Sequence, residues 1–550
     1  MSDGAARPDA EDASAWTGLR WWVVPVALAL LAAALRLVAL PTRGRFDADQ
    51  GDHLLVVLAM VRDGVVPLLG PTTFLPGVYH GALYYWLLAP LAAVSDTDPT
   101  VVTLTFVGAG LVAVLATWWL ARSIAGDLAG ATAGLLMAVS ATEVFASVTI
   151  WNPHFVPAAS AVALAGAWRA WGGRHPSGWL VAALGLSVAV QVHVLAVVLA
   201  PTIVGLYLLD LRRGWRSGRR GLLLAGLGAA LILAAGFVPL LVHETQTGFA
   251  ELRQLLDYLA SGAGGAAAGQ GLAARILIVA WRVVSWPLVG LFVDALVGST
   301  LAVVGIVAIV VWRSRSGTSA ERSAVIFLGL TVVVGTILLA ALVPSLDTVI
   351  RELPVDHYHA ALDPAIVTLV AIGLAAALRR LGRSGGSEDG RTAIAIPPGI
   401  AGATAVLGIA ALVGLVGWNL ATQPAAVAPD GGWPAASAAG DRIIAASAGG
   451  PIGFLSLPSF KTAGAYAFAV ERARAPVVEP TDLADGDLLV VLCDDTFREA
   501  IGADCGGPAE TAAVAEAGLT GAAVAVDRFD PAPGRHLSLY RLVGGQPSSP

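Results

Sequence analysis

Eleven stretches of this chain are apolar over about the 20 residues that a helix needs to cross a bilayer core. They fall at roughly 21–41, 101–121, 128–147, 153–171, 178–193, 195–211, 221–242, 287–312, 323–343, 360–378 and 398–418. In hydrocarbon every backbone polar group must be satisfied internally, so such segments become helices. The expected fold is mainly α, a polytopic membrane helix bundle. Composition agrees: 13% of the 550 residues are charged and mean hydropathy is +0.75, against about 25% charged in soluble domains.

Arginines orient the bundle. "LRRGWRSGRRG" (211–221), "WRSRSGTSAERS" (312–323) and "RRLGRSGGSEDGR" (379–391) are the Arg-rich connections. All three face the cytoplasm if residues 1–20, polar and without a signal-peptide pattern, form a cytoplasmic tail. Residues 42–100, 243–286, 344–359 and everything after about 419 then lie outside. The expected location is the inner (plasma) membrane, multi-pass. The net charge of −6 argues against nucleic acid as a partner, which would want a basic stripe. Of the 33 basic residues, 32 are Arg and one is Lys461, a bias typical of GC-rich bacterial genomes.

Beyond the last span the pattern changes. Residues 21–419 form the membrane domain and 420–435 read as a Gly/Pro/Ala linker. Residues 436–550 carry strand-length apolar runs ("GPIGFLSL", "GDLLVVLCDD", "AVAVDRF", "HLSLYRLV") and one helical run, "AETAAVAEAG". They predict a small exoplasmic α/β domain. Both cysteines, Cys493 and Cys505, fall there, and an oxidising compartment favours a disulfide between them over two free thiols.

Ionisable groups beside membrane spans are costly and mark function. Here they gather on the outer side. Asp47, Asp49, Asp52, His53 and His80 lie in the first outer loop. Glu143, Asn152, His154, Gln191, His193, His243 and Glu244 lie at outer turns, Asp294 in the outer half of span eight, and Asp356, His357 and His359 before span ten. Of nine histidines, only His175 is cytoplasmic. Within the first loop, "DQGDHLLVVLAMVRDG" (49–64) and "HGALYYWLLAPLAAV" (80–94) predict interfacial helices too short to span.

This order of features resembles the membrane glycosyltransferases of the C superfamily, in particular the protein O-mannosyltransferase and aminoarabinose lipid A transferase group. Asp49-Gln50 stands where that group has Asp-Glu, and "YHGALYYW" (79–86) where it has Lys-Pro-Pro. "WNPHFVP" (151–157), "QVHV" (191–194), "PLLVHETQTGF" (239–249) and "DHYHAALDP" (356–364) also match its pattern. The resemblance covers about 420 residues. It departs at Gln50, which cannot act as a base, and at His80, which replaces a basic residue. It implies transfer of a sugar from a polyprenyl-phosphate donor to an envelope glycan, lipid or protein hydroxyl at the outer face.

The chemistry assigns candidates. The acceptor hydroxyl needs a carboxylate base, and Asp49 is the candidate; the competing reading is a helix N-cap. A single displacement inverts the anomeric centre. The leaving phosphate needs cations or donors: His80, Arg351 and His357 are candidates. Asp47, Gln50, Asp52, Tyr84, Tyr85, Gln191, His193, Glu244, Tyr358 and His359 are candidate contacts to sugar or lipid, each also explicable as a capping, packing or solvated residue. Asp49, His80, Glu244 and His357 are candidate ligands of a divalent metal ion, since carboxylates and imidazoles suit several metals; a metal-free site is equally compatible. A transporter or flippase of lipid-linked sugars is the competing class, and a non-catalytic glycan-binding protein a third. A flippase requires polar groups along the whole path, and these lie at one rim.

Overall fold

The computed structural model describes residues 17–214, 219–261, 270–349, 355–379, 398–517, 519 and 523–543. Among them, seven helices are long and apolar enough to cross a membrane, or nine if two bent pairs each count as one span. The chain is a multi-pass membrane protein, mainly helical, with a small C-terminal β-containing domain. The bent pairs are Asp127–Val139 with Ala141–Val148 (56°) and Arg220–Gly236 with Val238–Gln246 (48°). Each bend has a cause. At the first, Asn419 accepts from the Ala141 amide at 2.9 Å and the Ser140 hydroxyl donates to the Pro287 carbonyl at 3.0 Å. At the second, Pro239 follows the break, where it supplies no amide to the ladder.

The helix Asp363–Leu378 is the pillar of the bundle. Its sequence is apolar all round, and helices of that kind end up enclosed. Ile366, Val367, Leu369 and Ile372 have no exposed surface. Around it pack Pro99–Ala125, Asp127–Val139, Ser319–Leu342 and Pro398–Ala421. Glu321 gathers the Arg-rich ends of the bundle, pairing with Arg313 and, at 3.0 Å, with Arg379. Arg379 in turn donates to the carbonyl of Ala125 at 2.6 Å.

The expected span 287–312 corresponds to Leu296–Ser316, and residues 272–286, expected in an outer segment, begin a further helix that is also long and apolar enough to cross. The helices Leu272–Val289 and Leu296–Ser316 are separated at Gly290, whose φ is +80°. Apolar composition runs straight through that break, so only the glycine and Pro287 mark it. Asp294, expected inside a span, lies in the turn between the two helices.

The first loop contains the helix Ala48–Arg62, an antiparallel pair of strands (Leu69–Thr72 with Tyr79–Gly81) and the helix Leu83–Ser95. The C-terminal sheet has the order Ile452–Leu457, Leu488–Asp494, Arg535–Leu542, Ala523–Ala532; the first pair is parallel and the others antiparallel. Strand alternation sorts its two faces. Leu488, Val490 and Leu492 pack with Ile443 and Val470, from the helices Gly432–Ser447 and Gly464–Arg472. Leu489 and Val491 pack on Val514 of the helix Pro508–Glu516. A Cys493–Cys505 disulfide joins the end of a central strand to the loop before that last helix. The stretch read as a linker is partly helix, because Gly432–Ser447 begins within it. The rest is tied to the first loop: the Thr42 hydroxyl donates to the Ala426 carbonyl at 2.7 Å, and the Phe46 amide to Asp430 at 2.9 Å.

The helices Ala48–Arg62 and Gly464–Arg472 meet glycine to glycine. A Cβ on Gly51 would overlap the Gly464 carbonyl, and one on Gly464 would overlap Asp52. At Gly51 all of these neighbours are backbone, so no flexible group can move aside. Gly51→Ala is expected to weaken this contact by about 1–3 kcal/mol, the usual cost of overpacking. Faster amide exchange across residues 464–472 would report it; unchanged exchange would mean that the contact yields without loss.

Candidate active site

The N-terminus of the helix Ala48–Arg62 organises the site. Asp47 is its N-cap: one carboxylate oxygen accepts from the Ala48 amide at 2.7 Å, and the Gln50 side chain accepts from the Asp47 amide at 2.9 Å. This capping box corrects the competing reading of Asp49 as the cap. It also engages Asp47 and Gln50 within the protein. Asp47 further bridges two cations of the C-terminal domain, Lys461 at 2.9 Å and Arg535 at 2.8 Å. Burial pushes the Asp47 carboxyl up, but Arg535 and Lys461 outweigh it and hold it below the usual carboxylate range. Asp52 accepts from the Thr462 hydroxyl at 2.7 Å; burial, with Asp49 nearby, pushes its carboxyl up.

Asp49 differs from its neighbours. Among the described residues nothing donates a hydrogen bond to its carboxylate, and its side chain is exposed. It lines three adjoining cavities. The surrounding cavity walls still crowd it enough to push its carboxyl up; Lys461 opposes the rise and Asp47 adds to it.

The first cavity, about 210 Å³, is polar, with His53, His80, His193 and His357 in its wall. His193 ends the helix Gly178–Val192 in an extended conformation and stacks on His80, with ring centroids 4.9 Å apart. His80, on the strand Tyr79–Gly81, accepts from the Val194 amide through Nδ1 at 3.2 Å. Burial lowers its pKa to about 4. The ring is therefore neutral near pH 7, with its proton on Nε2. His53 is likewise lowered to about 3, by burial and then by His80.

The second cavity, about 620 Å³, has largely apolar walls, including Trp286, Val289, Leu291 and Trp418. Arg45, Asp47 and Lys461 line it near Asp49, and the buried carboxyls of Glu143 and Asp363 line it elsewhere. His357 and Tyr358 line both cavities, with His357 packed 4.2 Å from Trp151. The third cavity, about 600 Å³, opens on the other side of Asp49 beside Asp52, Tyr85 and His243.

Several expected contacts lie elsewhere. Tyr84 is fully buried, and its hydroxyl meets His53 Nδ1 at 3.0 Å; it is a core residue that lines none of the three cavities. Gln191 is buried and donates to the Ser187 hydroxyl at 2.9 Å. Glu244 accepts from the amides of Glu251 and Leu252 at 3.2 and 3.3 Å, so it caps the helix Ala250–Ser261. His359 is wholly enclosed, 3.1 Å from Asp356, which also takes a bidentate pair from buried Arg282 at 3.0 and 2.7 Å. Arg351 lies outside the described residues. The sequence reading passed over Arg45, Lys461 and Trp151 as wall residues; Lys461 had one signal, as the sole lysine among 33 basic residues.

Asp49, His80, Glu244 and His357 do not form a metal-sized group. Among the described residues one set, Asp495, Cys505 and His536, lies close enough to hold an ion. It does not suit one. Cys505 is in a disulfide and offers no thiolate. Each His536 ring nitrogen already faces a carboxylate, Asp530 at 2.7 Å and Asp495 at 3.0 Å.

No protein-family model and no curated protein matches the chain. Solved structures do. ArnT from Cupriavidus metallidurans bound to undecaprenyl phosphate aligns over 96% of this chain and 99% of its own, at 16% identity and a TM-score of 0.55. Its apo form gives the same coverage at 15% identity and a TM-score of 0.54. The chain shares the fold of these ArnT structures. The archaeal oligosaccharyltransferase AglB from Archaeoglobus fulgidus, solved with an inhibitory peptide and a dolichol-phosphate, aligns over 96% of this chain and 75% of its own. That match has 13% identity and a TM-score of 0.50. The residues before the pillar helix divide structurally: His357 and Tyr358 face cavities, while Asp356 and His359 brace the turn.

That brace gives a test. Asp356→Ala leaves the buried Arg282 guanidinium without its carboxylate, an arrangement that typically costs about 3–5 kcal/mol. A lowered melting temperature of the purified protein is expected. An unchanged value would mean that Arg282 finds another partner.

Proposed function

We propose that the chain is a glycosyltransferase moving a sugar from a polyprenyl-phosphate-linked donor to an acceptor hydroxyl at the outer face, with inversion. The observation that carries this is Asp49: a carboxylate with no protein hydrogen bond among the described residues, exposed where a polar chamber and an apolar chamber adjoin. A base must reach its substrate's proton, and its neighbours Asp47 and Asp52 are occupied. The undecaprenyl phosphate and dolichol-phosphate in the ArnT and AglB structures support the donor class. In this reading the apolar chamber takes the lipid and the histidine-lined chamber the sugar ring. The neutral His80 ring, its Nδ1 taken by the Val194 amide, offers its Nε2–H to a sugar hydroxyl. His357 and Tyr358, shared by both chambers, stand where sugar and phosphate join. The acceptor hydroxyl belongs to an envelope glycan, lipid or protein.

Asp49→Asn is expected to retain fold and donor binding while losing about a hundred- to ten-thousand-fold in turnover, the range for a general base. The readout is transfer by the purified protein in lipid. Wild-type turnover in this variant would reject the assignment. The sign with pH follows. A base works ionised and the Asp49 carboxyl is pushed up, so activity is full at high pH and falls as pH drops through a value above the usual carboxylate range. An acid limb below that range would contradict the assignment.

We further propose that the N-terminus lies inside and the C-terminal domain outside. The Arg313–Glu321–Arg379 cluster and the first-loop site then lie on opposite faces. Cysteines introduced singly at exposed positions of the C-terminal domain should react with an impermeant maleimide in intact cells; reaction only after permeabilisation would reverse the orientation.

A further inference from the structure

The turn between the strand Ile452–Leu457 and the helix Gly464–Arg472 clasps the residues on either side of Asp49. Lys461 pairs with Asp47, two positions before it, and Thr462 bonds Asp52, three positions after it. Gly464 lies against Gly51 and the Ala48 carbonyl. Four contacts from one short turn therefore fix where the Lys461 ammonium sits: in the wall of the 620 Å³ chamber, beside Asp49.

Its bonding is incomplete. An ammonium carries three N–H donors, and Asp47 is the one carboxylate paired with Lys461 among the described residues. That carboxylate is also held by Arg535. If Lys461 turned to another anion, Asp47 would keep a cation. Phosphate is the anion that the reaction must accommodate. The imidazole His80 supplies no charge, since its second nitrogen is committed to Val194 and its pKa is held at about 4. The larger chamber presents mostly apolar surface, with Arg45 the other basic side chain in its wall among the described residues, and a phosphate left unpaired there is strongly disfavoured.

We propose that Lys461, delivered by the C-terminal domain, binds the phosphate of the lipid-linked donor and stabilises it as it leaves. This rests on the donor class proposed above. The C-terminal domain is then part of the active site. Lys461 is a flexible point charge with rotatable donors, suited to following the phosphate as the sugar–phosphate bond breaks and charge builds on the oxygen.

The composition makes the test direct. Lys461 is the only lysine in 550 residues, so an amine-reactive acylating reagent reports on it alone, once peptide mapping separates the N-terminal amine. The full chain in nanodiscs is labelled with no addition, with undecaprenyl phosphate, or with undecaprenol. Acylation of Lys461 should slow by about tenfold or more with the phosphate, as a charge-assisted hydrogen bond implies, and stay unchanged with the alcohol. In parallel, Lys461→Met should weaken undecaprenyl phosphate binding by a similar factor and Lys461→Arg should restore part of it. If Lys461→Met fails to fold, labelling of the wild type decides alone. Undecaprenyl phosphate that binds the wild type without protecting Lys461 overturns this proposal and leaves the donor class standing. Equal protection by the alcohol shows mere occlusion and also overturns it. Undecaprenyl phosphate that does not bind the wild type overturns both.

Discussion

One carboxylate, Asp47, holds the site together. It caps the first-loop helix, and it joins two cations that arrive from distant parts of the C-terminal domain. Arg535 carries the arrangement outward, lying 3.7 Å from Asp430 and 3.8 Å from Asp494. Asp430 also accepts from the Phe46 amide at 2.9 Å. Helix, post-span segment and sheet therefore meet around one guanidinium. Ion pairs of this kind are worth little when exposed, but here both partners are largely enclosed and share a network. Its effect is positional: it sets the helix start, and the helix start sets Asp49.

Most of the fold was legible because hydropathy is a strong signal over long segments. Apolar length located the helices, and strand-length runs located all four strands of the C-terminal sheet. The breaks were less legible. Gly290 interrupts a continuously apolar stretch, and only its positive φ distinguishes it from glycines that sit inside helices. The linker was misjudged for a related reason. "GGWPAASAAG" has the composition of a flexible connection, yet its alanines suit a helix and Ala439 packs in the core of the C-terminal domain.

The site was legible at the level of residue type and region, and much less so in role. Acids and imidazoles do gather at one rim. Which of them face a chamber depends on a few local hydrogen bonds that no spacing reveals. Asp47, Asp49 and Asp52 look equivalent in sequence, but the first is taken by a capping box and two cations, the third by Thr462. Likewise His357 and His359 are two residues apart, and a single 3₁₀ turn sends one to a cavity wall and the other to the Arg282–Asp356 brace. The wall residues contributed by the C-terminal domain were the least legible, because their partners lie roughly 400 positions away in the chain.

That separation has a temporal meaning. The helix bearing Asp49 leaves the ribosome early, whereas Thr462 bonds Asp52 across 410 positions. At synthesis rates of about 5–20 residues per second, the clasp is missing for roughly 20–80 seconds after the helix is made. Arg535 arrives later still, on a strand whose neighbour contains the bridged Cys493. A truncated chain, or one whose last domain has not folded and oxidised, would insert its helices and lack the groups that surround Asp49. The order of synthesis thus delays the surroundings of Asp49, since groups that clasp its helix are made long after the helix itself.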